Sequence, residues 1–190
     1  MLIEMKKLFT VLFLFVSFHC LAQTDSLQVV KRVGNMGVNK PLSIEYGGNP
    51  EHQGHSEVGT IISIRKGPVH VVGARFIINK ISLPDTAVLT VNIYEVKDGK
   101  PTANGLYRPV KITGAVKEGQ LNVDLTGYNI IMSDDFMLAL SWSSGRGSIS
   151  FGGGMHGGRS FHRNDNQEWE RAPMKLGFSA LIAVIHPNSP

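Results

Sequence analysis

The chain holds one cysteine among its 190 residues, Cys20. Without a second thiol no disulfide can staple the fold, so an ordinary hydrophobic core has to hold it. Past residue 22 no apolar run approaches the roughly 18 residues that cross a bilayer as a helix, and no membrane span is expected. An excess of one charge is also lacking. Nineteen Lys and Arg stand against fifteen Asp and Glu, scattered among one another, which gives no footprint for nucleic acid. Helical periodicity is nearly absent after the first two dozen residues. Nucleophile and phosphate motifs are missing as well: there is no G-x-S-x-G elbow, and Gly152-Gly153-Gly154 lacks the G-K-[ST] ending of a phosphate loop.

What is present begins with a leader. Lys6 and Lys7 precede the mostly apolar run 8–18, and a short segment ending at Ala22 follows, the layout of an export signal over residues 1–22. Glu4 is unusual in such a basic leader, so Met5 is an alternative start. Lipidation at Cys20 would want a small residue before it, and Phe18 and His19 stand there instead. The expected product starts at Gln23 and is exported, whether to the periplasm, the outer-membrane surface or the medium. Removing 22 of 190 residues leaves 168, enough for one domain. Losing two lysines and one glutamate takes the formal charge from +4 to +3.

The remainder alternates with period two and breaks at Gly, Pro and Asn/Asp clusters, as half-buried strands do. Strands are expected at 59–64, 69–79, 87–96, 107–113, 121–125, 136–143, 148–152, 159–164 and 176–186. Val72, Ala74, Phe76 and Ile78 are expected to share a core face, as are Leu89, Val91 and Ile93, with Asn92 and Tyr94 opposite. Phe136, Leu138, Leu140 and Trp142 alternate onto one side, making Trp142 a core residue. Residues 97–101, Lys-Asp-Gly-Lys-Pro, read as a turn. The stretch 176–186 is apolar on both faces and belongs centrally in its sheet. About nine or ten short strands with few helices specify an all-β, two-layer antiparallel β-sandwich, jelly-roll-like rather than immunoglobulin-like. Residues 59–190 form the sandwich domain, and 23–58 a lead-in packed on or preceding it.

The runs "EVGTIISIRKGPVHVVGARFIINK", "LTVNIYEVKDGKPTANGL", "LNVDLTGYNIIMSDDFMLALSW" and "WERAPMKLGFSALIAV" resemble a secreted β-sandwich domain common in cell-envelope proteins of Bacteroidota, often placed C-terminal to a carboxypeptidase-like regulatory domain. The resemblance covers residues 57–184 and rests on Gly59, Phe76, Tyr94, Trp142, Trp169 and similar core, turn and pairing positions. It implies a fold and an exported location, and no catalytic residue.

The most chemically suggestive stretch is "GGGMHGGRSFHRNDNQEWE", residues 152–170. In a strand, Arg159, Phe161 and Arg163 share one face while Ser160 and His162 share the other. With Trp169 across a hairpin, Arg159, His162, Arg163 and Trp169 form a candidate ligand-binding set, aromatic surface beside hydrogen-bond donors, suited to a sugar or a peptide segment. The bland alternative is that Trp169 covers one end of the core. Glu168 and Glu170 would project from one strand face about 6.6–6.8 Å apart, within the span that glycosidase chemistry uses, yet no second acidic cluster supports them.

His52 and His55 form an H-x-x-H pair that zinc would use only with a third or fourth ligand such as His156 or His162; loop histidines facing water are the plainer reading. His70 reads as a strand-end histidine with satisfied hydrogen bonds, and His186 sits in the tail. Asn164-Asp165-Asn166 falls short of the six or more oxygens calcium takes and reads as a polar turn. Asp134 and Asp135 suit a turn into a strand. The glycines at 152–154 are expected to relieve crowding at a bulge or close crossing. No cofactor or metal is called for. The sequence therefore describes a non-catalytic exported module of the envelope, binding or structural, with a glycan or envelope protein as partner. The alternative is a carbohydrate-active hydrolase using Glu168 and Glu170.

Overall fold

The alternation in residues 136–143 is realised in full. Phe136, Leu138, Leu140 and Trp142 are all completely buried in the main core, and the strand carrying them is hydrogen-bonded on both sides along nearly its whole length. A strand paired on both edges satisfies every backbone donor and acceptor, so its inward side chains can be wholly apolar.

The computed structural model describes residues 28–35, 42–47, 54–65, 67–84, 87–112, 116–143, 147–154, 158–165 and 167–184. The leader with Cys20, together with His52, His156, Asn166 and His186, lies outside the described residues. In chain order the strands are β1 (Gln28–Gly34), β2 (Ser43–Gly47), β3 (His55–Ile62), β4 (Val69–Ser82), β5 (Leu89–Lys97), β6 (Lys100–Gly105), β7 (Val110–Ile112), β8 (Gly119–Asp124), β9 (Ile130–Met132), β10 (Phe136–Ser143), β11 (Ser148–Gly154), β12 (Ser160–Asn164), β13 (Glu170–Arg171), β14 (Lys175–Leu176) and β15 (Phe178–Val184). A single 3-10 turn (Thr126–Tyr128) separates β8 from β9.

All pairings are antiparallel and make two sheets. The eight-stranded sheet runs β1-β15-β4-β11-β14, with β2 on β11 and with β8 and β9 on β4; the seven-stranded sheet runs β13-β12-β3-β10-β5-β6, with β7 on β5. Successive strands β3, β4 and β5, and again β9, β10, β11 and β12, change sheet at each connection. That winding wraps two layers around one core of Val58, Phe76, Leu138, Leu140, Trp142, Phe151 and Phe178 with their neighbours, the expected all-β sandwich. Among the described residues the fifteen strands exceed the nine or ten expected: β1 and β2 of the lead-in and β6 come in addition, and β9, β13 and β14 are two- or three-residue pairings. The apolar tail is also split, since Gly177 separates β14 from β15 and bonds to Gly152 through its N–H.

β1 and β2 of the lead-in pair into the eight-stranded sheet. β15 lies centrally there, between β1 and β4. At the tip between β5 and β6, Asp98 and Gly99 both take positive φ (51° and 74°), the backbone of a tight two-residue hairpin. The glycine expectation holds at Gly153, where an added Cβ would come within 2.5 Å of the Lys175 carbonyl oxygen.

Two expectations are corrected. Val72 does not join the core face of β4; Val69 and Val71 do, followed by Ala74, Phe76 and Ile78. A β-bulge causes this: Ile182 pairs with Val71 but Leu181 with Gly73, so Val72 is the extra residue and inward parity shifts by one. The freed Val72 carbonyl accepts from Leu125 N–H. His70 faces away from the core beside that bulge, and its Nε2 is buried without a hydrogen-bond partner among the described residues, against the expectation of satisfied bonds.

Gly34 and Gly119 share nearly the same left-handed φ, 111° and 107°, but a Cβ at Gly34 would lie 2.7 Å from the Phe178 carbonyl oxygen, whereas nothing lies within 4 Å at Gly119. Gly119→Ala is expected to cost about 1–3 kcal/mol through backbone strain alone. Gly34→Ala adds backbone overpacking and should cost about 1–3 kcal/mol more, read as the difference between the two urea unfolding midpoints.

Candidate functional site

The outer face of the seven-stranded sheet is not the polar, solvated surface that antiparallel sandwiches usually present. Strand register lays out its rows: Arg163, Glu57, Ser141 and Thr90 are successive partners across β12, β3, β10 and β5, and Phe161, Gly59, Ala139 and Asn92 form the next row. Gly59 makes room for Met137, whose Sδ would lie 2.7 Å from a Cβ there. Ile61, Tyr94, Met137, Ala139 and Phe161 consequently form a second, smaller apolar cluster, with Val96 and Trp169 packed on it.

Beside this cluster sits a buried carboxylate. Glu57 is 2% exposed. It accepts from Asn92 Nδ2 (2.6 Å), from the Tyr94 hydroxyl (2.8 and 2.9 Å) and from Arg163 Nε and Nη2 (2.9 and 2.8 Å). Arg163, its side chain 11% exposed, also donates through Nη1 to the Ala103 carbonyl and through Nη2 to the Tyr94 oxygen. Its guanidinium carbon stands 4.2 Å from the Trp169 ring centre and 5.1 Å from that of Tyr94. A planar cation beside two aromatic rings gains from both ring quadrupoles, and each oxygen of the carboxylate is matched by donors, which a buried charge requires. Burial, reinforced by the Glu57 charge and opposed by Arg163, pushes the Tyr94 phenol well above its usual value. Tyr94 thus stays protonated and donates.

Trp169 has a fixed role here. Its indole N–H donates to the Thr102 carbonyl (3.0 Å) and its ring meets Tyr94 edge-on at 5.2 Å. It is half-buried, clamping the hairpin after β12 onto the outer face.

A cleft of about 280 Å³ opens next to the network, lined by His55, Thr90, Asn92, Ser141, Arg163 and Asp165 among others. Its rim is braced by the turn after β12. Asp165, with φ of 45°, accepts from His55 N–H through Oδ1 (2.5 Å), and Asn164 accepts from the Ser56 hydroxyl. Those bonds give Asn164 and Asp165 the role of a polar turn. Ser141 accepts from Asn92 Nδ2 at 3.0 Å, so the cleft floor continues the network around Glu57.

Of the four residues singled out from the sequence, the structure brings Arg163 and Trp169 together. Arg159 lies on the same face of the chain about 13 Å along by the strand rise, where it pairs with Asp135 at 2.9 Å and with Ser63. Asp135 also accepts from Ile64 N–H, fixing the turn into β10. His162 points to the opposite, inner side, its ring edge-on to Tyr46 at 5.1 Å, with Glu170 Oε2 4.0 Å from Nδ1. Burial lowers the His162 pKa from the usual 6.5, and Glu170 opposes the shift. Burial likewise pushes the Tyr46 phenol up to about 12. Glu168 and Glu170 are both exposed, and of residues 167–171, which would have to be a strand for the two to share a face, only Glu170 and Arg171 are in one. The shared strand face on which the two carboxylates were to project is therefore not formed.

Sequence reasoning missed Glu57, the centre of the network. Its signal was present but non-local: an outward glutamate in a strand whose neighbours in the register are an arginine and a serine, with the outward Asn92 and Tyr94 on the next strand but one.

No protein-family model matches the chain, and no curated protein matches it. Among solved structures, the cysteine protease and lectin-like domains of Cwp84, a surface layer associated protein of Clostridium difficile, superpose with a TM-score of 0.52 at 12% identity, over 77% of this chain and 37% of that one. A second structure of the clostridial cysteine protease Cwp84, after propeptide cleavage, gives a TM-score of 0.51 at 14% identity, over 77% and 42%. The chain therefore spans less than half the length of either, and at these identities the likeness is one of fold.

Replacing Arg163 with Met strands Glu57 in a desolvated site and should cost about 3–5 kcal/mol in a denaturant titration; adding Glu57→Gln to Arg163→Met should recover a large part of that loss. His162 gives a pH signature. Its folded pKa lies below the unfolded value, so the unfolded chain binds more protons as pH falls through 6.5 and stability drops with it. The melting temperature of the wild type should fall between pH 7.5 and about 5.5 by more than that of His162→Gln.

Proposed function

We propose that this protein is a non-catalytic binding module of the cell envelope and that the cleft beside Glu57 and Arg163 takes an uncharged sugar unit of a glycan. One observation carries the reading: a hydrogen-bonded ion pair is buried on the outer face of a sheet, where packing alone would favour apolar or solvated residues. A buried pair of this kind is a weak source of stability, whereas a rigid array of donors and acceptors in a concavity is what a polyhydroxylated ligand needs.

Glu57 and Arg163 neutralise each other and the remaining charge at the rim is the Asp165 carboxylate, so the cleft offers no net positive charge to an acidic ligand. Thr90, Asn92 and Ser141 supply amide and hydroxyl groups to the lining, Tyr94 both lines the cleft and holds Arg163, and Trp169 holds Arg163 from outside it. Its volume of about 280 Å³ is at the low end of small-molecule sites, in keeping with one ring of a longer chain. The export leader expected from the sequence supports a setting outside the cytoplasm for such a module. The lectin-like domain and surface-layer association of the Cwp84 structure are in keeping with that setting.

A glycan array probed with the chain from Gln23 onward tests the reading. Neutral oligosaccharides should bind, and Thr90→Trp, which fills the cleft from an outward strand position, should weaken binding at least about ten-fold, or ~1.4 kcal/mol, with an unchanged circular-dichroism spectrum. Absence of any glycan ligand, or equal binding by Thr90→Trp, contradicts the proposal. Polysaccharide hydrolysis that disappears in Glu168→Gln and Glu170→Gln would replace it with the hydrolase.

A further inference from the structure

A second and larger concavity lies past the end of β3, where the two layers part. Its volume is about 790 Å³, well inside the range of sites that enclose small ligands. Its walls come from β1 and β15 of one sheet and from the end of β3 and the segment beyond it in the other. Val33, Ile64 and Val184 line it while remaining half-buried, and Val69 and Ile182, almost wholly buried, form its base.

The charges around this apolar opening all have one sign. Lys31, Arg65, Arg159 and Lys175 line it, and among the described residues no Asp or Glu does. The Asp135 carboxylate is bonded to three of the lining residues, Arg159, Ser63 and Ile64 through its N–H. Arg159 is thereby neutralised, but Lys31, Arg65 and Lys175 make no ion pair among the described residues. Elsewhere on the chain the two signs are mixed, so three uncompensated cations at one apolar mouth form a local field that attracts an anion. A small hydrophilic anion would leave Val33, Ile64 and Val184 wet. A ligand with an apolar body and an anionic end satisfies both halves.

We propose that the open end between the sheets binds a single-chain lipid carboxylate, its hydrocarbon chain against Val33, Ile64 and Val184 and its carboxylate among Lys31, Arg65 and Lys175. This site is separate from the cleft beside Glu57, and its ligand class differs, so either can fail without the other. The hydrocarbon contributes by removing apolar surface from water, and the carboxylate selects among amphiphiles through charge that salt screens.

Titration calorimetry of the full chain with dodecanoate, dodecanol and dodecyltrimethylammonium, all below their micelle concentrations, tests this. Dodecanoate should bind and weaken with added salt, while the ammonium amphiphile should not bind. The triple variant Lys31→Glu/Arg65→Glu/Lys175→Glu, altered only at charged lining positions, should bind dodecanoate at least about ten-fold more weakly. Ile64→Trp, which narrows the mouth without changing charge, should weaken it too, with the thermal transition of each variant confirming the fold. The proposal is overturned if no dodecanoate binds, if dodecanol or the ammonium compound binds equally well, or if the triple variant binds as the wild type does. Binding that appears only after residues 185–190 are removed would assign the space to the chain's own tail and overturn it equally.

Discussion

Everything in this molecule depends on how β10 divides its side chains. One set, Phe136, Leu138, Leu140 and Trp142, is pressed between the sheets and closes a core that no disulfide reinforces. The other set, Met137, Ala139 and Ser141, points outward, and the first two are just as inaccessible to water. A central strand buried on both faces forces something to cover its outer side. Here the covering is made by Phe161, Tyr94 and the clamp of Trp169, and where the apolar cover ends the polar network around Glu57 begins.

That boundary explains why the ion pair is tolerated. Transfer of a lone carboxylate into such a place would cost several kcal/mol, and Glu57 avoids the cost by accepting from three side chains on two strands besides its own. Arg163 is in turn fixed by two rings and a backbone carbonyl. Such mutual restraint fixes rotamers that would otherwise be free, and a cleft with fixed donors loses little entropy when a ligand arrives. The same outer face is thus both the lid on a small core and the wall of the cleft.

Much of this was legible in the sequence because it is local. Alternation over five to eight residues placed Leu89, Val91 and Ile93 inward and Asn92 and Tyr94 outward, and made Trp142 a core residue. Bulges were not legible, since one inserted residue at Val72 leaves the composition of β4 unchanged while reversing which valines face in. The site was half legible. Arg163 and Trp169 stood out by residue type near a glycine-rich turn, but His162 differs from Arg163 by one position and so faces the other layer, and Arg159 lies at the far end of its strand. Glu57 belongs to no motif; only the register across β12, β3, β10 and β5 gathers its partners.

The central claim is that the outer face of the seven-stranded sheet recognises a ligand through the cleft beside the Glu57–Arg163 pair. Backbone amide chemical shifts, followed by nuclear magnetic resonance while a neutral oligosaccharide is titrated in, test it most directly. The account predicts saturable shifts concentrated at Thr90, Asn92, Ser141 and Arg163. Saturable shifts concentrated on the opposite sheet, or none at all with every glycan that the protein retains, would contradict it.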